Sequence, residues 1–251
     1  MISPKGSKES FHIRDSFKKM TFSQKIDYII AYYKFPVITA IIAAAVLIST
    51  AVRYFTRKET VLCAAFANVS VGETLSEDLT DRYLLETERS LSKNEIIVYR
   101  DLYLTSEPSA ENHQYAYASK LKVLGAVNAR QLDIVLMNRE AYDLMSSSGF
   151  LLDLDEALSQ DQELYQRIRN FLCENTVIIE DNAVAFSLGE AETYESVTED
   201  AVNAVDCSSF PYFEQAGFPD TVYFGIIANS TRTQECLRWL SYISGNTDGN
   251  S

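Results

Sequence analysis

The sequence predicts an α/β protein: an N-terminal transmembrane helix, then a doubly wound, mainly parallel sheet with a small hairpin-containing insertion in place of a full second lobe. Three observations carry this expectation. Residues 35–52 hold no charged residue. Apolar runs of strand length start near residues 60, 95, 132 and 221, and the first three are separated by stretches long enough for crossover helices. Charge also changes sign along the chain. Of 22 Lys+Arg and 35 Asp+Glu, 10 and 4 lie in residues 1–59, which leaves 12 and 31 for residues 60–251, a net of +6 against −19. A domain at −19 repels phosphate backbones, so nucleic acid is not an expected partner.

The chain therefore reads as a basic cytosolic arm over 1–34, a membrane span over 35–52, an outer domain over 60–244 and a polar tail over 245–251. In the arm, Phe17, Phe22, Ile26, Ile29, Ile30 and Tyr33 recur at helical spacing among Lys18, Lys19 and Lys25. Two readings stay open: an amphipathic helix at the inner membrane surface, or a plain helical extension of the span. The run Phe35 to Val52 is 18 residues, about 27 Å at ~1.5 Å per residue, close to the hydrocarbon thickness. Tyr28, Tyr32, Tyr33, Tyr54 and Phe55 are placed as interfacial anchors, and Pro36 falls in the first turn of the span. Lys19, Lys25 and Lys34 balance Arg53, Arg57 and Lys58, while Lys5, Lys8, Arg14 and Lys18 tip the count towards a cytosolic N-terminus and an extracytoplasmic C-terminal domain. Ser49 and Ala51 form a small-x-small pattern, so a cleaved leader stays open beside a retained signal anchor.

In the outer domain, Thr60 to Ser70 reads as a first buried strand with Asn68 at its exit. A helix over about Ser76 to Leu91 follows, with Leu79, Tyr83, Leu84 and Leu91 on one face and Thr74 and Glu77 at capping-box spacing. Glu95 to Leu104 is a second strand, Ala110 to Ala129 a helix beyond the turn at Pro108, and Leu132 to Met137 a third strand. The first and third runs are continuously apolar, as in strands covered by helices on both faces. Glu140 to Ser147 is a short helix ended near Gly149, and Ser159 to Leu172 a further one. Thr176 to Leu188 reads as a hairpin around Asp181 and Asn182. Thr221 to Ser230 is a last buried strand, and Thr233 to Ser244 the closing helix.

Catalytic chemistry is not expected. The two histidines, His12 and His113, are far apart, and no His pair, Cys-x-x-Cys, glycine-rich phosphate loop or nucleophile elbow occurs. No metal or cofactor is expected. Asp153, Asp155 and Glu156 in "DLDEAL" read as a helix cap with favourable first-turn charge. Cys63, Cys173, Cys207 and Cys236 allow two disulfides in any of three pairings, or free thiols packed as small apolar groups.

"LDIVLMNREAYDLMSSSGFLLDLDEAL" (residues 132–158) and "VYFGIIANSTRTQECLRWLSYIS" (residues 222–244) resemble passages of bacterial extracytoplasmic solute-binding proteins. "KIDYIIAYYKFPVI" (residues 25–38) is similar to the start of single-pass membrane proteins of Gram-positive bacteria that carry such a domain. The resemblance implies ligand contacts at the carboxyl ends of strands: Asn68 after the first, Asn138 and Arg139 after the third, Asn229 and Ser230 after the last. A solute-binding protein closes two lobes on its solute. Here only residues 175–219 stand where the second lobe would be. The expected function is a membrane-tethered, non-catalytic extracytoplasmic binding module, a reduced solute-binding protein taking a small solute. The alternative is an envelope protein-interaction or structural domain that binds no solute.

Overall fold

The computed structural model describes the backbone of residues 21–245, and the side chains of these except 22–34, 37, 53, 55 and 56. Most of the expected basic arm (residues 1–20), including Phe17, Lys18 and Lys19, and the tail (residues 246–251) lie outside the described residues. The chain divides into two compact units, 1–57 and 58–251.

In the first unit, helix α1 runs over Phe22–Thr56, 35 residues, with Pro36 inside it. Pro36 was expected in a first turn, but the helix starts well before it. The described apolar side chains of α1 are exposed, Phe35 at 82 % and Leu47 at 70 % among them. Among the described residues no helix is long and apolar enough to cross a membrane. The side chain of residue 37, inside the run 35–52, is not among them. The transmembrane expectation therefore rests on the sequence.

The second unit is an α/β fold built on a mixed six-stranded sheet of order β2-β1-β3-β6-β5-β4. Its elements follow the chain. Strand β1 is Glu59–Ala67. Helix α2 runs as an α-turn over Glu73–Glu77, a π-turn over Asp78–Arg82 and a last α-turn over Tyr83–Glu86. Strand β2 (Asn94–Leu102), helix α3 (His113–Asn128), strand β3 (Ile134–Met137) and helix α4 (Arg139–Ser147) come next. Two short helices, α5 (Leu154–Leu158) and α6 (Gln162–Ile168), precede β4 (Leu172–Asp181), α7 (Ala183–Ser187) and β5 (Ser196–Asp206). Helix α8 (Pro211–Ala216), strand β6 (Tyr223–Ile226) and helix α9 (Thr233–Ile243) close the fold.

Helices cover both sheet faces, and this explains the unbroken apolar runs. Leu62, Ala64 and Phe66 of β1, with Ile134 and Leu136 of β3, pack in one core with α2, α5, α6, α8 and α9. Cys63, Ala65 and Ala67, with Val135 and Met137, pack in the other with α3 and α4. Successive residues point to opposite faces, so a strand buried on both sides must be apolar at every position. Full burial of each Leu, Ile or Phe contributes roughly 1.5–3 kcal/mol. Gly225 marks the tightest spot: a Cβ there would meet Leu151 Cδ2 at 2.9 Å and Met137 Cε at 3.0 Å.

The sheet is mixed rather than mainly parallel. β1 pairs parallel with β2 and with β3, as helical crossovers require. β6 instead runs antiparallel to β3, with Ile134 opposite Ile226 and Met137 opposite Tyr223. The reason lies in the preceding connection. β5 ends beside the start of β6, and Cys207 N donates to Val222 O at 2.9 Å, so the loop carrying α8 returns to the sheet end it left. A strand entered that way can only run back. The expected hairpin also takes another form. β4 pairs with β5, not with residues before 188, and both are strands of the main sheet rather than an insertion. Residues 183–187 form α7, and Asn182 clasps the loop by donating to Thr193 O and accepting from Glu195 N.

Smaller differences have local causes. The helix expected over 159–172 starts at Gln162, as α6 with a 3-10 turn over Arg169–Phe171, because Asp161 caps it by accepting from Leu164 N; α5 precedes it with its own cap, Asp153 accepting from Asp155 N. α2 starts after Gly72 without a side-chain cap, so Thr74 and Glu77 lie inside the helix and form no capping box. Gly149, at φ +67, takes the left-handed conformation just past α4.

Candidate functional site

The carboxyl ends of the parallel strands lie where ligand contacts were expected, and the polar side chains there are engaged by the chain itself. Asn68 leaves β1 at φ +57, a conformation asparagine tolerates better than most residues. Its Oδ1 accepts from Leu104 N at 2.8 Å and its Nδ2 donates to Leu104 O at 2.7 Å. The amide thus pairs with both backbone polar groups of one residue and stitches the exit of β1 to the loop after β2. The same Nδ2 donates to Asn138 Oδ1 at 3.1 Å. Asn138 caps α4, its Oδ1 accepting from Ala141 N at 3.0 Å. Arg139 pairs with Asp143 at 2.9 Å, its guanidinium 5.5 Å from the centre of the Tyr142 ring.

Asn229 and Ser230 do not join them. Because β6 is antiparallel, its exit lies at the opposite end of the sheet, near the start of β3. Asn229 Nδ2 donates to Val127 O at 2.8 Å, and Ser230 Oγ donates to Asp133 Oδ1 at 2.7 Å. The five residues therefore form two separate groups, not one crevice. A cleft of 660 Å³ opens between α2 and α8, lined by Ser70, Thr74, Asp78, Arg82, Tyr212 and Phe218 among others and by none of the five expected residues. Inside it Arg82 is already paired with Asp78 at 2.8 Å.

Three polar clusters had not been anticipated. Asp133, fully buried, accepts from Cys63 N at 2.7 Å, Ser230 Oγ at 2.7 Å and Arg232 Nε at 3.0 Å. A lone acid in "LDIVLM" was the available signal, since a carboxylate among buried apolar residues demands partners. Glu235 holds Arg89 through both carboxylate oxygens and also accepts from the Tyr83 hydroxyl. Burial acts to raise the Glu235 carboxyl, and the Arg89 and Tyr83 hydrogen bonds outweigh it, so the group is held below the usual carboxylate range. The third cluster ties the base of the β4–β5 hairpin to α4. Tyr142 OH donates to Asn203 Oδ1 at 2.8 Å, Asn203 Nδ2 to Ser146 Oγ at 2.8 Å, and Ser146 Oγ to Thr176 O at 3.0 Å.

Among the described residues no group of three or more His, Cys, Asp or Glu side chains could hold a metal. His113 stands exposed at the start of α3. The four cysteines are free thiols, which selects among the alternatives left open. Burial pushes the Cys63 thiol from 9.0 up to about 11, with the Asp133 charge adding to it. Burial likewise pushes Cys207 and Cys236 up. A thiol whose folded pKa is raised contributes stability that is intact below about pH 9 and lost as pH rises through about 11. The expected outcome is a denaturation midpoint that falls between pH 9 and 11, and very slow iodoacetamide labelling of Cys63, Cys207 and Cys236 in the native protein at pH 8. Rapid native labelling of these three would contradict the burial argument.

No protein-family profile matches the chain, and a comparison with curated proteins finds no match.

Proposed function

We propose that the chain is a membrane-tethered, non-catalytic extracytoplasmic module that works by holding another protein. The tether is the uncharged run 35–52, and the basic residues before it place the N-terminus in the cytosol. The observation that carries the reading is the far part of the β4–β5 hairpin. From Ile179 to Val197 it exposes Ile179, Val184, Phe186, Leu188, Tyr194 and Val197, each at 46 % or more. A cluster of large apolar side chains left in water favours a protein contact. The polar groups at the ends of β1 and β3 favour it too. Asn68 and Asn138 are occupied by backbone groups, and a solute would have to displace those bonds.

The second reading, a reduced solute-binding protein, draws on the 660 Å³ cleft beside α2 and α8, which is large enough for a small solute. A thermal-shift screen of the full chain in detergent separates the two. A solute present at ~100 times its dissociation constant adds about 2.7 kcal/mol of stability. Sugars and amino acids are expected to leave the melting temperature unchanged, and Arg139→Ala is expected to be silent. A solute that raises the melt, with the rise abolished in Arg82→Ala, which lines the cleft, overturns the protein-binding reading.

A further inference from the structure

The exposed hairpin lies in the most one-sided charge environment of the chain. Between Arg169 and Arg232 there is no Lys or Arg, while Glu and Asp number eleven. Eight of these, Glu174, Glu180, Asp181, Glu190, Glu192, Glu195, Glu199 and Asp200, are exposed on the hairpin itself. None takes part in the ion pairs found among the described residues. The same segment carries half of the exposed large apolar residues of the second unit. Its base is held firmly by the Tyr142, Asn203 and Ser146 hydrogen bonds and by Asn175 Nδ2, which donates to Asp143 at 2.8 Å. Beyond that base the hairpin leaves the sheet, since β5 pairs with β6 only at Val205 and Asp206.

The combination selects an occupant. A second copy would bring two sets of eight carboxylates face to face, and an anionic lipid surface or a nucleic acid would be repelled in the same way. A protein segment that alternates apolar and basic side chains satisfies both features at once: its apolar groups cover Val184, Phe186 and Leu188, and its Lys or Arg residues meet the surrounding carboxylates. We infer that the distal β4–β5 hairpin is the docking site of this module for a cationic, amphipathic segment of a partner protein. The inference rests on the protein-binding reading above and gives it a surface and a chemistry.

The test uses the full chain in phosphatidylcholine nanodiscs and a fluorescein-labelled 14-residue peptide alternating Lys with Val and Phe, followed by anisotropy. The peptide is expected to bind, and its Glu-for-Lys counterpart is expected not to. Combined Glu180→Lys, Glu192→Lys and Glu195→Lys should weaken binding at least tenfold, and so should Val184→Ser with Leu188→Ser. These positions are exposed, so the variants should melt with the parent. Reversal of Glu86, Glu88 and Glu156 to Lys, away from the hairpin, should leave the dissociation constant within twofold. Equal losses from hairpin and control reversals would mean that net charge alone attracts the peptide and would overturn the site. The single tryptophan, Trp239, is buried, so Leu188→Trp adds a distinguishable reporter. Its quenching by brominated lipid would put the hairpin tip in the bilayer and overturn the protein partner. Failure of the peptide arm with a flat solute screen removes the cationic partner alone, whereas a solute-induced melt removes the reading beneath it.

Discussion

Asp133→Ala is expected to lower the stability of the second unit by about 3–5 kcal/mol, the cost of breaking a buried ion pair from one side. The carboxylate has no exposed surface and joins β3 to β1 through Cys63 N, and to the start of α9 through Ser230 and Arg232. Removal strands three donors together. Arg232 is 30 % exposed and can turn towards water, which places the loss at the lower end of that range. Arg232→Ala leaves the buried carboxylate with its two neutral donors but no countercharge, and should cost at least as much. The double variant Asp133→Leu, Arg232→Met removes both charges and should recover much of the loss, because an apolar pair needs no solvation. Urea denaturation followed by far-ultraviolet circular dichroism reads all three. A loss below about 1 kcal/mol for Asp133→Ala would show that the pair contributes little.

Trp239→Ala is expected to cost about as much, roughly 3–5 kcal/mol, for a different reason. The indole, 1 % exposed, stacks on Phe224 of β6 with ring centres 5.6 Å apart. Its Nε1 donates to Leu79 O at 2.9 Å, inside the π-turn of α2. One side chain thus ties the closing helix to the sheet and to the first crossover. Truncation leaves a cavity and an unpaired carbonyl. Trp239→Phe keeps the stacking and loses the hydrogen bond, so the difference between the two variants isolates the packing term. The hydrogen bond itself should appear as roughly 1 kcal/mol. If Trp239→Phe costs as much as Trp239→Ala, the hydrogen bond rather than the ring is the tie.

The hairpin shows where reading the chain residue by residue stops working. β4 was visible in part because "TVII" is rich in β-branched residues. β5 was not, because Ser196 to Asp200 stand in water and only Asn203, Ala204 and Val205 are buried. A strand half in solvent carries no apolar run, and its partner across fourteen intervening residues is chosen by pairing energy rather than by local pattern. The same limit explains Asn229 and Ser230. Their strand was recognisable, but its direction was not.

Local chemistry was decisive wherever the signal was local. Continuous apolarity marked β1 and β3 as buried on both faces, and "DLDEAL" marked Asp153 as a cap. These follow from solvation and backbone bonding within a few residues, so the sequence determined them by itself. Tertiary structure decided what depends on distant partners: the antiparallel course of β6, the separation of Asn229 and Ser230 from Asn68 and Asn138, the partners of Asp133 and Glu235, and the exposure of Phe186 and Leu188. Each is the outcome of a competition between long-range contacts, and a contact between residues 133 and 232 leaves no periodicity in the chain between them.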